Sequence, residues 1–156
     1  MRKQVFGVCL IAGLLFGVSS APLVAGQGTM MKEKSLYDRL GKRKSIAAVV
    51  DEFVSRVAAD DRINTFFAST ASDPARLKKF KGNLVDQICE ASGGRCKYKG
   101  KDMKTAHMGM GISGGDFTAL VEDLSGALDK FNVGGHEKDQ LIGALAPMKP
   151  QIVEKP

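Results

Sequence analysis

The sequence predicts an all-α protein of one domain, and three observations carry that prediction. From Ser35 onward apolar residues recur at three- and four-residue spacing, the period that aligns side chains on one face of a helix. Capping and breaking residues stand where those stripes begin and end, and no stretch alternates convincingly as a half-buried strand would. The length, 156 residues, is that of one ordinary domain with a core of its own.

The elements follow in chain order. Ile46, Val49, Val50, Phe53, Val54 and Val57 form the apolar stripe of a helix over about 45–59, with Ser45 as its cap and Asp60-Asp61 at its end. Ile63, Phe66 and Phe67 make a short apolar turn. Asp73 and Pro74 read as the N-cap and first helical residue of the next helix. Its buried stripe is Leu77, Phe80, Leu84 and Ile88, and Gly93-Gly94 stops it. A polar stretch, 95–101, leads through a turn at Gly100 to a short helical piece over 103–108. Gly109, Gly111, Gly114 and Gly115 then open a loop. Ser113 and Asp116 have capping-box spacing ahead of a long stripe, Phe117, Leu120, Val121, Leu124, Leu128 and Phe131. Gly134-Gly135 separates this from a last helix carrying Leu141, Ile142, Leu145 and Met148, whose end Pro147 and Pro150 bend or fray.

The first residues read as an export signal. Arg2 and Lys3 form a charged start, the run 5–18 is apolar and glycine-rich, and small residues follow over 19–25. The apolar run is short for a membrane span. Cleavage after Ala21 would place Pro22 first, so Ala25 or Gly26 is the better site, which divides the chain into a signal peptide (1–25), a flexible segment (26–34) and a folded domain (35–154). The expected location is periplasmic or secreted, with membrane contact only through the leader; an uncleaved leader would act as an anchor. Translation starting at Met30 or Met31 would instead leave the protein in the cytoplasm.

Export bears on Cys89 and Cys96, which lie outside the leader. In an oxidising compartment they can pair across Gly93-Gly94; in the cytosol they would be a buried thiol and a loop thiol. Neither a CxxC nor a CxxCH motif is present. The net charge is +6, concentrated at 42–44, 76–81 and 95–104. A solvated basic face accounts for it, and no aromatic interleaving or recognised motif supports a nucleic-acid partner.

Two histidines exist, His107 and His136. His107 sits in Met103-Lys-Thr-Ala-His-Met-Gly-Met-Gly-Ile112, without the carboxylate, serine or cysteine neighbours that a catalytic set or a zinc site needs. Taken alone it reads as a structural residue or as a ligand. His136, at a helix start after a glycine pair, reads as solvent-exposed.

The ordered set of local motifs is more specific. Leu36-Tyr-Asp-Arg-Leu-Gly41, Val49-Val-Asp-Glu-Phe53, Asp60-Asp-Arg-Ile-Asn-Thr-Phe-Phe67, Gly93-Gly94, Tyr98-Lys-Gly100, Met103, Ala106-His107, Gly109-Met-Gly-Ile112 and Phe117 resemble, in order and spacing, a group 1 truncated haemoglobin over nearly all of 35–153. The resemblance implies a two-over-two helical sandwich around one haem b, with His107 as the proximal ligand of the iron. It implies that Phe67 packs on the haem, and that Phe53, Leu77, Ile88, Tyr98, Met103, Ile112, Phe117 and Leu120 line the pocket. Lys78 or Lys81 is expected to reach a propionate.

The departures from that family bear on chemistry. The residue after Phe53, usually Tyr, is Val54, and the facing positions are Phe80 and Leu84, where a Gln or another polar group is common. The first glycine pair is incomplete, reading Gly41-Lys42. An oxygen-stabilising donor is therefore not expected. Three functions stay open: reversible binding or transport of O2, NO or CO by a monomer, with a reductase or other redox partner; a haem enzyme such as an NO dioxygenase or peroxidase; or electron transfer with Lys81 or a Met as second ligand. The lack of a distal base or donor favours binding over turnover.

Overall fold

The computed structural model describes residues 33–155, so the signal-peptide reading and most of the flexible-segment reading lie outside the described residues. The described chain is helical: α1 (Leu36–Arg39), α2 (Lys42–Ala59), a 3₁₀ turn (Asn64–Phe67) running into α3 (Ala68–Ala71), α4 (Pro74–Ala91), α5 (Met103–His107), α6 (Gly114–Lys130), α7 (Gly135–Leu145), a second 3₁₀ turn (Ala146–Met148) and α8 (Lys149–Ile152). Among the described residues no strand forms; a lone bridge pairs Ser113 with Lys155.

Two long helices pack against α2, one being α4 and the other α6. The stripe of α2 is buried as its period requires: Ile46, Val49, Val50, Phe53 and Val57 meet Val85, Ile88 and Cys89 of α4 and Ala119, Leu124, Ala127 and Leu128 of α6 in one core. Leu141 of α7 joins them. Val50, Leu128 and Leu141 are at most 1% exposed, and burying each such side chain stabilises the fold by about 1.5–3 kcal/mol.

The helix ends show which local signals acted. Asp73 caps α4, its carboxylate accepting the N–H groups of Ala75 (2.9 Å) and Arg76 (3.0 Å). Ser113 and Asp116 form a reciprocal capping box on α6. The start of α2 differs from the sequence expectation. Ser45 is not its cap; the helix begins one turn earlier, at Lys42, because Gly41 (φ +81°) and Lys42 (φ +63°) both turn left-handed and complete the reversal there. The short piece around His107 ends at His107 itself, with Met108 at the cap and exposed. Past Leu145 the chain breaks at Pro147 and Pro150 into the 3₁₀ turn and α8, as their missing N–H groups require.

The loop between α4 and α5 is pinned to α4. Cys89 and Cys96 form a disulfide across the glycine pair. Gly93 has φ +86°, and a Cβ on Gly94 would lie 2.5 Å from the Cys89 sulfur, so only glycine lets the chain fold back this tightly. Further along, the Glu90 carboxylate accepts the Tyr98 N–H (2.8 Å) and the Lys97 ammonium (2.9 Å).

A candidate cofactor pocket

A cavity of about 680 Å³ is walled by α4, α5, α6, the 3₁₀ turn carrying Phe66 and Phe67, and the C-terminal turns. That volume suits a small organic cofactor. Of the residues the sequence nominated, Phe53, Phe67, Phe80, Leu84, Ile88, Tyr98, Met103, His107, Ile112, Phe117 and Leu120 line it.

Val54, Leu77, Lys78 and Lys81 do not. Val54 and Leu77 face a separate apolar void of about 20 Å³, which also touches Phe53, Phe67 and Phe80. Those three rings thus form a partition between void and cavity; Phe67 and Phe80 pack with centroids 5.8 Å apart at 50°. Lys78 and Lys81 lie off the cavity face of α4. On that helix Arg76, Lys79, Phe80, Asn83, Leu84, Gln87 and Ile88 share one side by three- and four-residue spacing, and Lys81 instead pairs with Asp51 (2.9 Å).

The same spacing rule locates residues that sequence reasoning missed. Asn83 and Gln87 line the cavity beside Leu84, so its α4 wall is not purely apolar. The Gln87 amide donates toward the thioethers of Met148 (3.0 Å) and Met103 (3.4 Å). Arg76, Lys79, Lys99 and Lys101 gather at the cavity, against Asp116 as its one described carboxylate. Asp116 is occupied by the N–H (2.8 Å) and hydroxyl (2.7 Å) of Ser113, bonds that hold its carboxyl below the usual carboxylate range. Met148, the last member of the predicted stripe, and Ile152, which no helical period announces, enter the lining from beyond Pro147.

His107 stands at the C-terminal end of α5 and is half-buried at the cavity wall. Asp102 caps the helix by accepting the Thr105 N–H (2.9 Å). The His107 ring pairs through Nδ1 with the Met103 carbonyl one turn back (2.7 Å). A neutral imidazole can only donate to a carbonyl, so this bond puts the proton on Nδ1 and leaves the Nε2 lone pair free, the arrangement of a metal-binding histidine with its second nitrogen oriented. Among the described residues no three His, Cys, Asp or Glu side chains gather to hold an ion by themselves. A free imidazole nitrogen, apolar walls and a basic mouth together suit a flat, apolar, acidic cofactor that carries its own metal, and haem has that chemistry. His136, in the first turn of α7, is exposed and away from the cavity.

The sequence model of the bacterial-like globin family matches residues 35–154. A group 1 truncated haemoglobin of Mycolicibacterium paratuberculosis is 34% identical over 118 residues, 76% of this chain and 83% of that protein. Among solved structures, a variant of the truncated haemoglobin from Tetrahymena pyriformis in its Fe(III) form superposes with a TM-score of 0.72 at 26% identity, covering 78% of this chain and 100% of that one. The 2/2 haemoglobin from Synechococcus sp. PCC 7002, solved in the cyanomet state with covalently attached haem, superposes with a TM-score of 0.70 at 27% identity, over 78% of this chain and 100% of that one.

Proposed function

Because the chain belongs to the bacterial-like globin family and is a truncated globin in fold, we propose that it holds one haem b through Nε2 of His107 and binds O2, NO or CO reversibly. The observation that carries this reading is the His107 ring, fixed by the Met103 carbonyl and lining the cavity with its other nitrogen unpaired. Haem supplies an iron with one coordination position left for a diatomic gas. The chain does the rest. Arg76, Lys79, Lys99 and Lys101 attract the two propionates, in place of the Lys78 or Lys81 expected from sequence. Phe53, Phe80 and Leu84, which line the cavity, would keep water from the bound group.

Gas binding is favoured over turnover because Phe80 and Leu84 offer neither a base nor a donor, and the neighbouring Asn83 and Gln87 are amides, which supply no base. Electron transfer is the second reading, since the Met103 and Met148 thioethers face the same cavity. Export to the periplasm or beyond is part of the proposal; the leader motif supports it, and the Cys89–Cys96 pair suits an oxidising compartment. A monomer served by a separate reductase completes it.

The test is haem content per chain in His107→Ala and His136→Ala. Loss of haem from the first and full retention in the second is the expected result. Full haem retention with an unchanged spectrum in His107→Ala would exclude the assignment.

A further inference from the structure

The loop that follows His107 is gripped by the C-terminal tail. Gly109 (φ +80°) and Gly111 (φ +67°) are left-handed, and their N–H groups converge on a single carboxylate. Oε1 of Glu154 accepts from Gly109 (2.7 Å) and Oε2 from Gly111 (2.6 Å). Convergent backbone N–H groups of this kind form an anion-binding concavity, here filled by a side chain of the same molecule. The grip is reciprocal: the N–H groups of Glu154 (2.8 Å) and Lys155 (3.1 Å) both donate to the Ile112 carbonyl. Just upstream, Met148 and Ile152 line the cavity.

This matters because α5 cannot position itself. It has five residues and buries none of them, and a helix so short has no stability of its own in water. Its place is set by its packing on α8 and at its two ends, by the Asp102 cap in front and by the loop behind. The loop begins at Met108, directly after His107, and Glu154 closes it. We propose that Glu154 is a positioning residue for His107: its carboxylate clamps the Gly109 and Gly111 amides and thereby sets the distance and tilt at which the His107 ring meets the iron. The proposal rests on the haem reading above. The two amide bonds and the nearby Lys155 ammonium also hold the Glu154 carboxyl below the usual carboxylate range, so the clamp stays charged, and charged acceptors make the stronger hydrogen bonds.

The experiment uses the full folded domain reconstituted with haemin. Glu154→Gln keeps the size but replaces one acceptor oxygen with an NH₂ that opposes a glycine N–H. Glu154→Asp keeps the charge and withdraws it by one methylene, and carries the test if the first variant does not fold. Glu122→Gln, which removes a surface partner of Arg62, is the control for a merely structural loss. The readouts are the iron–histidine stretching band of the reduced protein and the rate of haemin transfer to an excess of apomyoglobin. A shifted or broadened band and roughly tenfold faster haemin loss, at a melting temperature like that of the Glu122 variant, is the expected result. An unchanged band and transfer rate in a folded Glu154 variant overturns the proposal alone. A parent protein that takes up haemin without any iron–histidine band overturns the haem reading and this inference with it.

Discussion

The α4 wall of the cavity is built from side chains on two helices of eighteen residues each, α2 and α4, whereas the wall that carries His107 hangs on the five residues of α5 and on backbone bonds at either end. The first wall is held by a continuous buried stripe, so its cavity-facing residues can be exchanged for others of similar volume at modest cost. The second has no buried stripe. Asp102, Glu154 and two left-handed glycines hold it, and a change there moves the backbone that carries His107. On the proposed function, variation in ligand preference therefore belongs on α4, and the cofactor's attachment to α5 and the tail.

The largest effect outside the proposed ligand His107 falls on the bond that joins the walls. The Cys89–Cys96 disulfide ties the end of α4 to the loop that delivers α5. Closing a loop of about eight residues is worth about 2–3 kcal/mol in the chain-entropy model. Cys96→Ala should therefore lower the free energy of unfolding by that amount, read from a lower urea midpoint at unchanged slope, with faster hydrogen exchange over 95–106 and little change in α2. Equal midpoints for the oxidised protein and the variant would show that the loop is held by its other bonds, those of Glu90 to Tyr98 and Lys97.

Ligand preference should respond next. With Phe80 and Leu84 facing the cavity, oxygen has no hydrogen-bond donor at these positions, and fast oxygen release with a preference for CO and NO is expected. Leu84→Gln should slow release about two- to tenfold, since one hydrogen bond contributes roughly 0.5–1.5 kcal/mol. Val54→Tyr should do less. Val54 stands behind the Phe53, Phe67 and Phe80 partition, against a void of only about 20 Å³, and a phenol there must first displace a ring. Stopped-flow replacement of oxygen by CO measures all three proteins. A larger effect from Val54→Tyr would mean that the partition opens when the cofactor is bound, and slow release from the natural protein would assign Asn83 or Gln87 as the missing donor.

The smallest effect is a backbone one. Lys42 is a non-glycine residue at φ +63°, a conformation that costs about 1–2 kcal/mol for a residue with a Cβ. Lys42→Gly removes that strain but loosens the unfolded chain, so a net gain below about 1 kcal/mol is expected in thermal unfolding. A loss of stability would show that the Lys42 side chain, 3.8 Å from Asp38, contributes more than the strain.

Where signals were local, the sequence was legible. Asp73-Pro74, Ser113 with Asp116, and Gly93-Gly94 each act within one turn of chain, and each ends or starts a helix where its chemistry requires. The start of α2 was misread because a left-handed turn is legible in a glycine and not in Lys42. Asn83 and Gln87 were passed over because polar residues within a stripe read as solvent-facing, although their spacing from Phe80 puts them on its face. Lys78 and Lys81 were read from charge alone, and neither lines the cavity. Met148 read only as the last member of a helical stripe, and Glu154 had no signal at all, since their roles arise from contacts some forty to sixty residues away in the chain.

The most direct test of the central claim, one haem on His107 with a position left for a gas, is the absorption spectrum of the reduced protein before and after addition of CO. The account predicts a five-coordinate, high-spin ferrous spectrum that converts fully to the CO form within mixing time. A six-coordinate, low-spin ferrous spectrum that resists CO would mean that a second side chain occupies that position, with Met103, Met110 and Met148 the thioethers that line the cavity, and would contradict gas binding as the function.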